Sequence, residues 1–243
     1  MAIVAFFKYL GSYVSRDCND AIDVDSRIES AGKAFGALRG CIFSSTHINV
    51  AAKRAVYEVL ILAILLYGAE SWSVTEAMLQ RLRVFHARCV RSMCRVSRKH
   101  TWDHRLSTSM LERRLGLTSI DTYLSRRRLG WLGHVRRMDF QRLPRRMLSS
   151  WVPCPRPRGA PPMTYGRSIH AALDDFHIGA DEWVSLAANR PAWRETIRLG
   201  HPPGWRPTPP TPPLALRRPV RSVAAKTNLK IDASLSAMRA PLP

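Results

Sequence analysis

The residues of this sequence best suited to chemistry are arginines in two stretches. In the first stretch they recur every three, four or seven residues, a spacing that puts most of them on one helix face. That group is Arg81, Arg88, Arg91, Arg95 and Arg98. The second group surrounds Trp131 and consists of Arg126, Arg127, Arg128, His134, Arg136 and Arg137. Because a guanidinium donates two parallel hydrogen bonds to a phosphate, both groups predict contacts with a nucleic-acid backbone. For any single arginine, a solvated helix face is the alternative.

The distribution of charge favours the same function. The chain has 38 Lys and Arg against 18 Asp and Glu, which gives a formal net charge of +20. Twenty of these cations but only four of the anions lie within 80–158. A stretch of this charge density attracts a polyanion, and nucleic acid is the commonest polyanion inside cells. Biased base composition would also enrich arginine, but it should spread the charge evenly along the chain.

A second kind of chemistry is metal binding by Cys89, Cys94, His100 and His104. Two thiolates and two imidazoles can bind zinc tetrahedrally. The gap between the two cysteines is at the edge of the usual range, and Cys89 lies on a predicted apolar stripe, where cysteine commonly packs as a small buried residue. We therefore expect no metal or other cofactor, and we keep a zinc-binding nucleic-acid module as an alternative.

No catalytic arrangement is visible in the sequence. Asp17, Asp20, Asp23 and Asp25 cluster before the first predicted helix, with a spacing that suits helix capping better than a metal cage. The chain has no glycine loop that could cradle a phosphate and no Ser/His/Asp arrangement. We therefore predict no catalytic residues.

Proline content and apolar periodicity predict the organisation of the chain. Residues 1–143 contain no proline, and all 17 prolines follow from Pro144 onward. The periodicity predicts a mainly α-helical fold, with helices at about 20–39, 47–67, 76–96, 108–115, 119–138, 163–176 and 181–198, and a short strand within 5–14. The predicted units are an entry segment at 1–19, a basic helical bundle at 20–143, a Pro-rich linker at 144–162, a small helical module at 163–199 and a disordered Pro-rich tail at 200–243.

Composition also limits the cellular setting. Five cysteines are too few, and odd in number, for a secreted disulfide scaffold. The most apolar run, 59–67, is far shorter than the roughly 20 residues of a membrane span. We expect an intracellular protein, nuclear or cytoplasmic, that does not contact a membrane.

The predicted helices indicate which candidate residues should be buried and which should be exposed to a ligand. Thr75 should cap helix 76–96. In helix 119–138 we expect Trp131 and Leu132 to be buried. The residues that we expect to contact phosphate there are Arg127, Arg128, Arg136 and Arg137. Gly130 and Gly133 should permit the close approach of another backbone, from a packed helix or a nucleic acid.

Several stretches match one family in order and spacing. They include Lys8-Tyr9-Leu10-Gly11, Leu66-Tyr67-Gly68-Ala69-Glu70-Ser71-Trp72, Gly130-Trp131-Leu132-Gly133-His134-Val135-Arg136-Arg137-Met138 and Trp193-Arg194. Together they cover about 7–198 and resemble the C-terminal third of non-LTR (LINE-type) retrotransposon reverse transcriptases, including the endonuclease-reverse transcriptases.

The resemblance implies a thumb and post-thumb region that grips template and primer in an RNA-directed DNA polymerase. Residues 1–19 would then be the end of the palm. The magnesium-binding catalytic aspartates of the family lie upstream of the matched region, so we expect a truncated element copy that is inactive alone. Such a chain would bind RNA and DNA backbones without reading sequence, and palm and fingers would come from upstream or in trans. A degenerate copy with no selected function is the remaining alternative.

Overall fold

The structure of the chain is a computed structural model that describes residues 4–17, 19–149 and 164–201. These residues are mainly helical, which confirms the predicted fold class. Most of the predicted linker and nearly all of the predicted Pro-rich tail lie outside the described residues. Among the residues that are described, no helix is long and apolar enough to cross a lipid bilayer.

The N-terminal segment is a β-hairpin and not the single strand predicted within 5–14. Strand β1 (Phe6–Tyr9) pairs antiparallel with β2 (Ser12–Ser15), so that Phe6 lies opposite Ser15. Leu10 and Gly11 connect the strands and both have positive φ, as a two-residue hairpin turn requires. Leucine is unusual in that conformation, and the sequence therefore lacks the Asn-Gly or Asp-Gly signal of such a turn.

The first helices follow the predicted ranges closely. Helix α1 (Ala21–Leu38) continues into a π-helical stretch at Arg39–Phe43. The predicted helix at 47–67 consists of α2 (Val50–Val56), a π-helical turn at Tyr57–Ile61 and α3 (Leu62–Leu65).

Side-chain caps explain where the next four helices begin. These are α4 (Glu76–Met93), α5 (Arg98–Asp103), α6 (Thr108–Leu115) and α7 (Ile120–Arg136). The hydroxyls of Thr75, Ser97, Ser107 and Ser119 each accept a hydrogen bond from a backbone N–H of the first turn. Each cap satisfies a donor that the helix itself leaves unpaired. The predicted cap at Thr75 is confirmed, whereas the short helix α5 was not predicted.

Four shorter helices complete the described chain. They are α8 (Leu143–Ser149), α9 (Tyr165–Asp175), α10 (Trp183–Ala188) and α11 (Arg190–Leu199). Helix α8 occupies the start of the range predicted as a linker, and Pro144 lies in its first turn, where proline is tolerated. Pro191 likewise lies in the first turn of α11 and separates it from α10, as predicted.

Two apolar clusters hold the helices together, and α7 belongs to both. The larger cluster joins α1, α3, α4 and α6 to Ile120 and Leu124 from the first half of α7. The smaller one joins Leu129 and Leu132, from the second half of α7, to buried residues of α9, α10 and α11 such as Trp193. The small C-terminal helices therefore pack on the same helix that carries the second arginine group.

Asp20, just before α1, and Asp23, in its first turn, connect segments of the fold and do not form the predicted capping bond. Asp20 makes no side-chain capping bond, and its carboxylate instead accepts from the Ser73 N–H at 2.8 Å. The buried carboxylate of Asp23 accepts from the Trp72 indole N–H at 2.9 Å and the Tyr13 N–H at 3.0 Å. These bonds tie α1 to the hairpin and to the segment after α3, so these two acids have a structural role.

Candidate nucleic-acid interface

Three of the five predicted arginines of the first group line one cleft. Arg88, Arg91 and Arg98 lie along a cleft of about 420 Å³ between α1 and α4. Arg39, at the end of α1, lines the same cleft and was not among the predicted site residues. The described part of the chain supplies no carboxylate that pairs with these four side chains. Their positive charge is therefore available to an external anion.

A second cleft adjoins the first, because Arg91 and Arg98 line both. This cleft, of about 570 Å³, is also lined by Lys99 and Trp102. The Trp102 side chain is 83% exposed, which is unusual for so large an apolar group. A flat aromatic ring beside cations is the arrangement on which unpaired nucleotide bases stack. We call the two clefts together the basic groove, defined by Arg39, Arg88, Arg91, Arg98, Lys99 and Trp102.

The other two arginines of the first group lie outside the basic groove. Arg81 forms an ion pair with Asp25 of α1. Arg95 follows α4 in a left-handed backbone conformation and is exposed. The predicted common face is found only in part, because α4 ends at Met93 and both Arg95 and Arg98 lie beyond it. The spacing also could not show that Arg81 already has an acidic partner.

In the second group the structure places Arg128 inside the protein. Its side chain is only 7% exposed, and Nη2 donates to the Trp72 carbonyl at 3.4 Å. Burial lowers the pKa of Arg128. The prediction that Arg128 contacts phosphate is therefore wrong for this fold, because the residue shares the inward face of α7 with Leu124 and Leu132.

The rest of the second group is distributed around α7. Arg127 and His134 are exposed, whereas Arg126 and Arg136 are half-buried. Arg137 is exposed but donates from Nη1 to the Ala187 carbonyl at 2.7 Å. Among the two residues predicted to be buried, Leu132 is buried, but Trp131 is only half-buried and lines an apolar cleft beside α8.

The glycines of α7 have different surroundings. A Cβ atom at Gly133 would overlap the indole ring of Trp193, whereas one at Gly130 would meet open space. The Trp193 indole N–H donates to the Leu129 carbonyl at 2.9 Å. The predicted close approach at Gly133 is therefore made by a tryptophan side chain of α11, and not by a backbone or a phosphate.

The possible zinc ligands lie in different environments. Cys89 is buried in the core beside Tyr57, and burial raises the pKa of its thiol to about 12. His100 lies on α5 and His104 directly follows it; both are exposed, and their ring centroids are 4.1 Å apart. In the described residues, no group of three His, Cys, Asp or Glu side chains is arranged to hold a metal ion. The geometry does not favour the zinc-binding alternative.

A buried histidine that the sequence did not single out links α4 to the π-helical turn after α2 and to α6. His86 Nδ1 lies 2.9 Å from the Tyr57 hydroxyl, and Nε2 lies 3.2 Å from a carboxylate oxygen of Glu112. Burial lowers the pKa of His86 to about 4 and raises that of Glu112. A neutral imidazole can accept the Tyr57 hydroxyl hydrogen at Nδ1, whereas Nε2 lies close to Glu112 without hydrogen-bond geometry.

We expect His86 to make the protein less stable in mild acid. The folded pKa of about 4 lies below the ordinary 6.5, so the unfolded chain binds more protons and stability falls as the pH falls from 6.5 towards 4. The loss approaches about 3 kcal/mol at the lower end. Urea unfolding at pH 7, 5.5 and 4.5 should show a smaller loss for His86→Gln than for the unsubstituted protein.

Glu112 supplies the control for this titration. Its raised pKa acts in the opposite direction, because protonation of this carboxyl on acidification favours the folded state. The comparison of His86→Gln with the unsubstituted protein should therefore be repeated in a Glu112→Gln background. Equal acid sensitivity with and without His86 in that background would show that the imidazole is not held neutral.

Comparisons with known proteins give one similarity. The chain is 23% identical over 197 residues to an uncharacterized transposon-derived protein of Caenorhabditis elegans, and the alignment covers 79% of this chain and 70% of the relative. No described protein family matches the chain, and no solved structure matches it. The similarity supports a transposon-related origin for this protein.

Proposed function

We propose that this protein binds RNA and DNA through their phosphate backbones, without reading base sequence. The observation that carries this proposal is the basic groove, in which four arginines and Lys99 converge without acidic partners among the described residues. Arginine and lysine contacts to phosphate supply most of the affinity in sequence-independent binding. The cations of the groove come from the end of α1, from α4 and from α5. Phosphate contacts made from several helices do not require one helix to read the base edges.

The exposed tryptophan favours single-stranded segments as part of the ligand. In a duplex the bases are stacked on each other and cannot reach an aromatic side chain at the protein surface. An unpaired base could stack on Trp102 while its phosphates contact Arg91, Arg98 or Lys99. A hairpin with a single-stranded overhang presents both kinds of structure and is the natural probe.

The resemblance to non-LTR retrotransposon reverse transcriptases gives this binding a more specific role. The transposon-derived relative is consistent with such an origin. In a reverse transcriptase, a helical region after the palm would hold template and primer, while magnesium and the catalytic aspartates belong to the upstream palm. We infer that this chain has the gripping role, and that polymerase activity would need a palm and fingers supplied upstream or in trans.

The groove is tested by exchanging two of its arginines. The double variant Arg91→Gln/Arg98→Gln should weaken binding of a 20-nucleotide RNA hairpin with an overhang, because both cations line both clefts. If each contacts one phosphate, the slope of log affinity against log salt should become shallower by about two. Fluorescence anisotropy at several salt concentrations measures both quantities.

A matched control removes the same charge elsewhere. Arg113→Gln/Arg114→Gln changes two exposed arginines of α6 that line neither cleft. This control should keep nearly all of the affinity and slope. Equal weakening in the two double variants would mean that net charge, and not the basic groove, determines binding.

A further inference from the structure

A separate cleft between α7 and α11 brings three arginines together. Its volume is about 360 Å³. The arginines that line it are Arg137, Arg190 and Arg194, and its wall also includes Gly130, His134 and Ile197. Arg190 and Arg194 lie one helical turn apart on α11 and therefore share a face. Neither belongs to the predicted arginine groups, because residues 159–200 as a whole carry almost no net charge.

The packing of Trp193 explains why these arginines meet. This buried side chain lies against Gly133 and donates to the Leu129 carbonyl, so it fixes α11 on the surface of α7. Arg194 and Arg190, on the neighbouring face of α11, then lie opposite Arg137 at the end of α7. Arg137 donates one hydrogen bond to the Ala187 carbonyl, which holds its guanidinium at the cleft.

The charges in this cleft are not neutralised by the protein. No carboxylate in residues 4–17, 19–149 and 164–201 forms an ion pair with Arg137, Arg190 or Arg194. Glu195, the acidic residue next to Arg194, pairs with Arg198 at 2.6 Å. Although Arg137 is largely exposed, partial desolvation by the surrounding protein lowers its pKa, and the nearby positive charges of Arg190 and Arg194 lower it further. An anion that entered the cleft would relieve this repulsion.

We propose that the α7–α11 cleft is a second phosphate-binding site, which holds a backbone phosphate of the same nucleic acid that occupies the basic groove. The guanidinium groups of Arg190 and Arg194 would donate hydrogen bonds to the phosphate oxygens, and Arg137 would complete the site from α7. This inference rests on the proposed function. It extends the binding surface to a helix that follows the predicted linker.

The double variant Arg190→Gln/Arg194→Gln tests the site in the full-length chain. Binding of the 20-nucleotide RNA hairpin should weaken, and the salt slope should become shallower by about one to two, since each lost phosphate contact removes about 0.9. The melting temperature should stay the same or rise, because two mutually repelling charges are removed. A purely structural role for these arginines would instead lower the melting temperature.

Two controls separate this inference from the proposed function. Arg198→Gln lies on the same helix, outside the cleft, and should keep the affinity of the unsubstituted protein. Arg113→Gln/Arg114→Gln matches the loss of two charges. If the unsubstituted protein binds and Arg190→Gln/Arg194→Gln binds equally well with the same slope, the second site is wrong and the basic groove stands. If the unsubstituted protein does not bind at 50 mM salt, both proposals fail.

Discussion

Replacement of Trp193 by alanine should lower the free energy of unfolding by about 3–5 kcal/mol, the usual cost of removing a large aromatic side chain from a core. Trp193 is 1% exposed and is the largest member of the apolar cluster that joins α7 to α9, α10 and α11. The substitution also removes the hydrogen bond to the Leu129 carbonyl and leaves a cavity beside Gly133. Urea unfolding monitored by circular dichroism measures the change.

Trp131, on α7, is the matched control, because it is the tryptophan that the sequence predicted to be buried. Its side chain is only half-buried and lines an open apolar cleft, so Trp131→Ala should cost less than half as much. A larger loss for Trp131→Ala than for Trp193→Ala would contradict the arrangement of α11 on α7. Gly133→Val should also destabilise the fold, because the added side chain would overlap the indole ring.

Much of the helical structure follows from local signals in the sequence. Thr75 precedes α4 and caps it, and Gly116 ends α6 in a left-handed conformation, as expected of a residue after the last helical position. Helix α6 has the predicted bounds. These features depend on neighbouring residues alone, which is why apolar periodicity, hydroxyl caps and glycine were sufficient to predict them.

The predictions that the structure contradicts concern residues whose environment depends on distant parts of the chain. Helix α7 packs against two clusters at once, so a prediction with a single buried face assigned Arg128 to solvent. Asp23 was interpreted as a capping residue because its partner, Trp72, lies 49 positions later in the sequence. The bulky neighbour of Gly133 is Trp193, 60 positions away. Such pairings cannot be derived from spacing along one helix.

The candidate site was predictable only in part, for the same physical reason. Spacing along α4 predicted a common face for Arg88 and Arg91, and both line the basic groove. Arg39 lines the groove with them only because α1 packs against α4. Arg81 lies outside the groove and forms an ion pair with Asp25 of α1. The proposed stacking of a base on Trp102 depends on the exposure of its ring, which the sequence did not indicate. The charge density predicted the region 80–158, whereas tertiary packing determines which of its residues line the basic groove.

We propose that the affinity of this protein for nucleic acid comes from phosphate contacts. If about six cations contact phosphates, each contact releases counterions from the nucleic acid, and the affinity should fall by about a thousandfold between 50 and 200 mM salt. The six can be supplied by the five cations of the basic groove together with the α7–α11 cleft. Probes of unrelated sequence should give similar affinities.

The most direct test is fluorescence anisotropy of the unsubstituted protein with the 20-nucleotide RNA hairpin across this salt range. We expect a steep linear fall of log affinity with log salt, and a shallower fall for Arg91→Gln/Arg98→Gln than for Arg113→Gln/Arg114→Gln. An affinity that stays constant between 50 and 200 mM salt would contradict backbone binding by arginine and lysine.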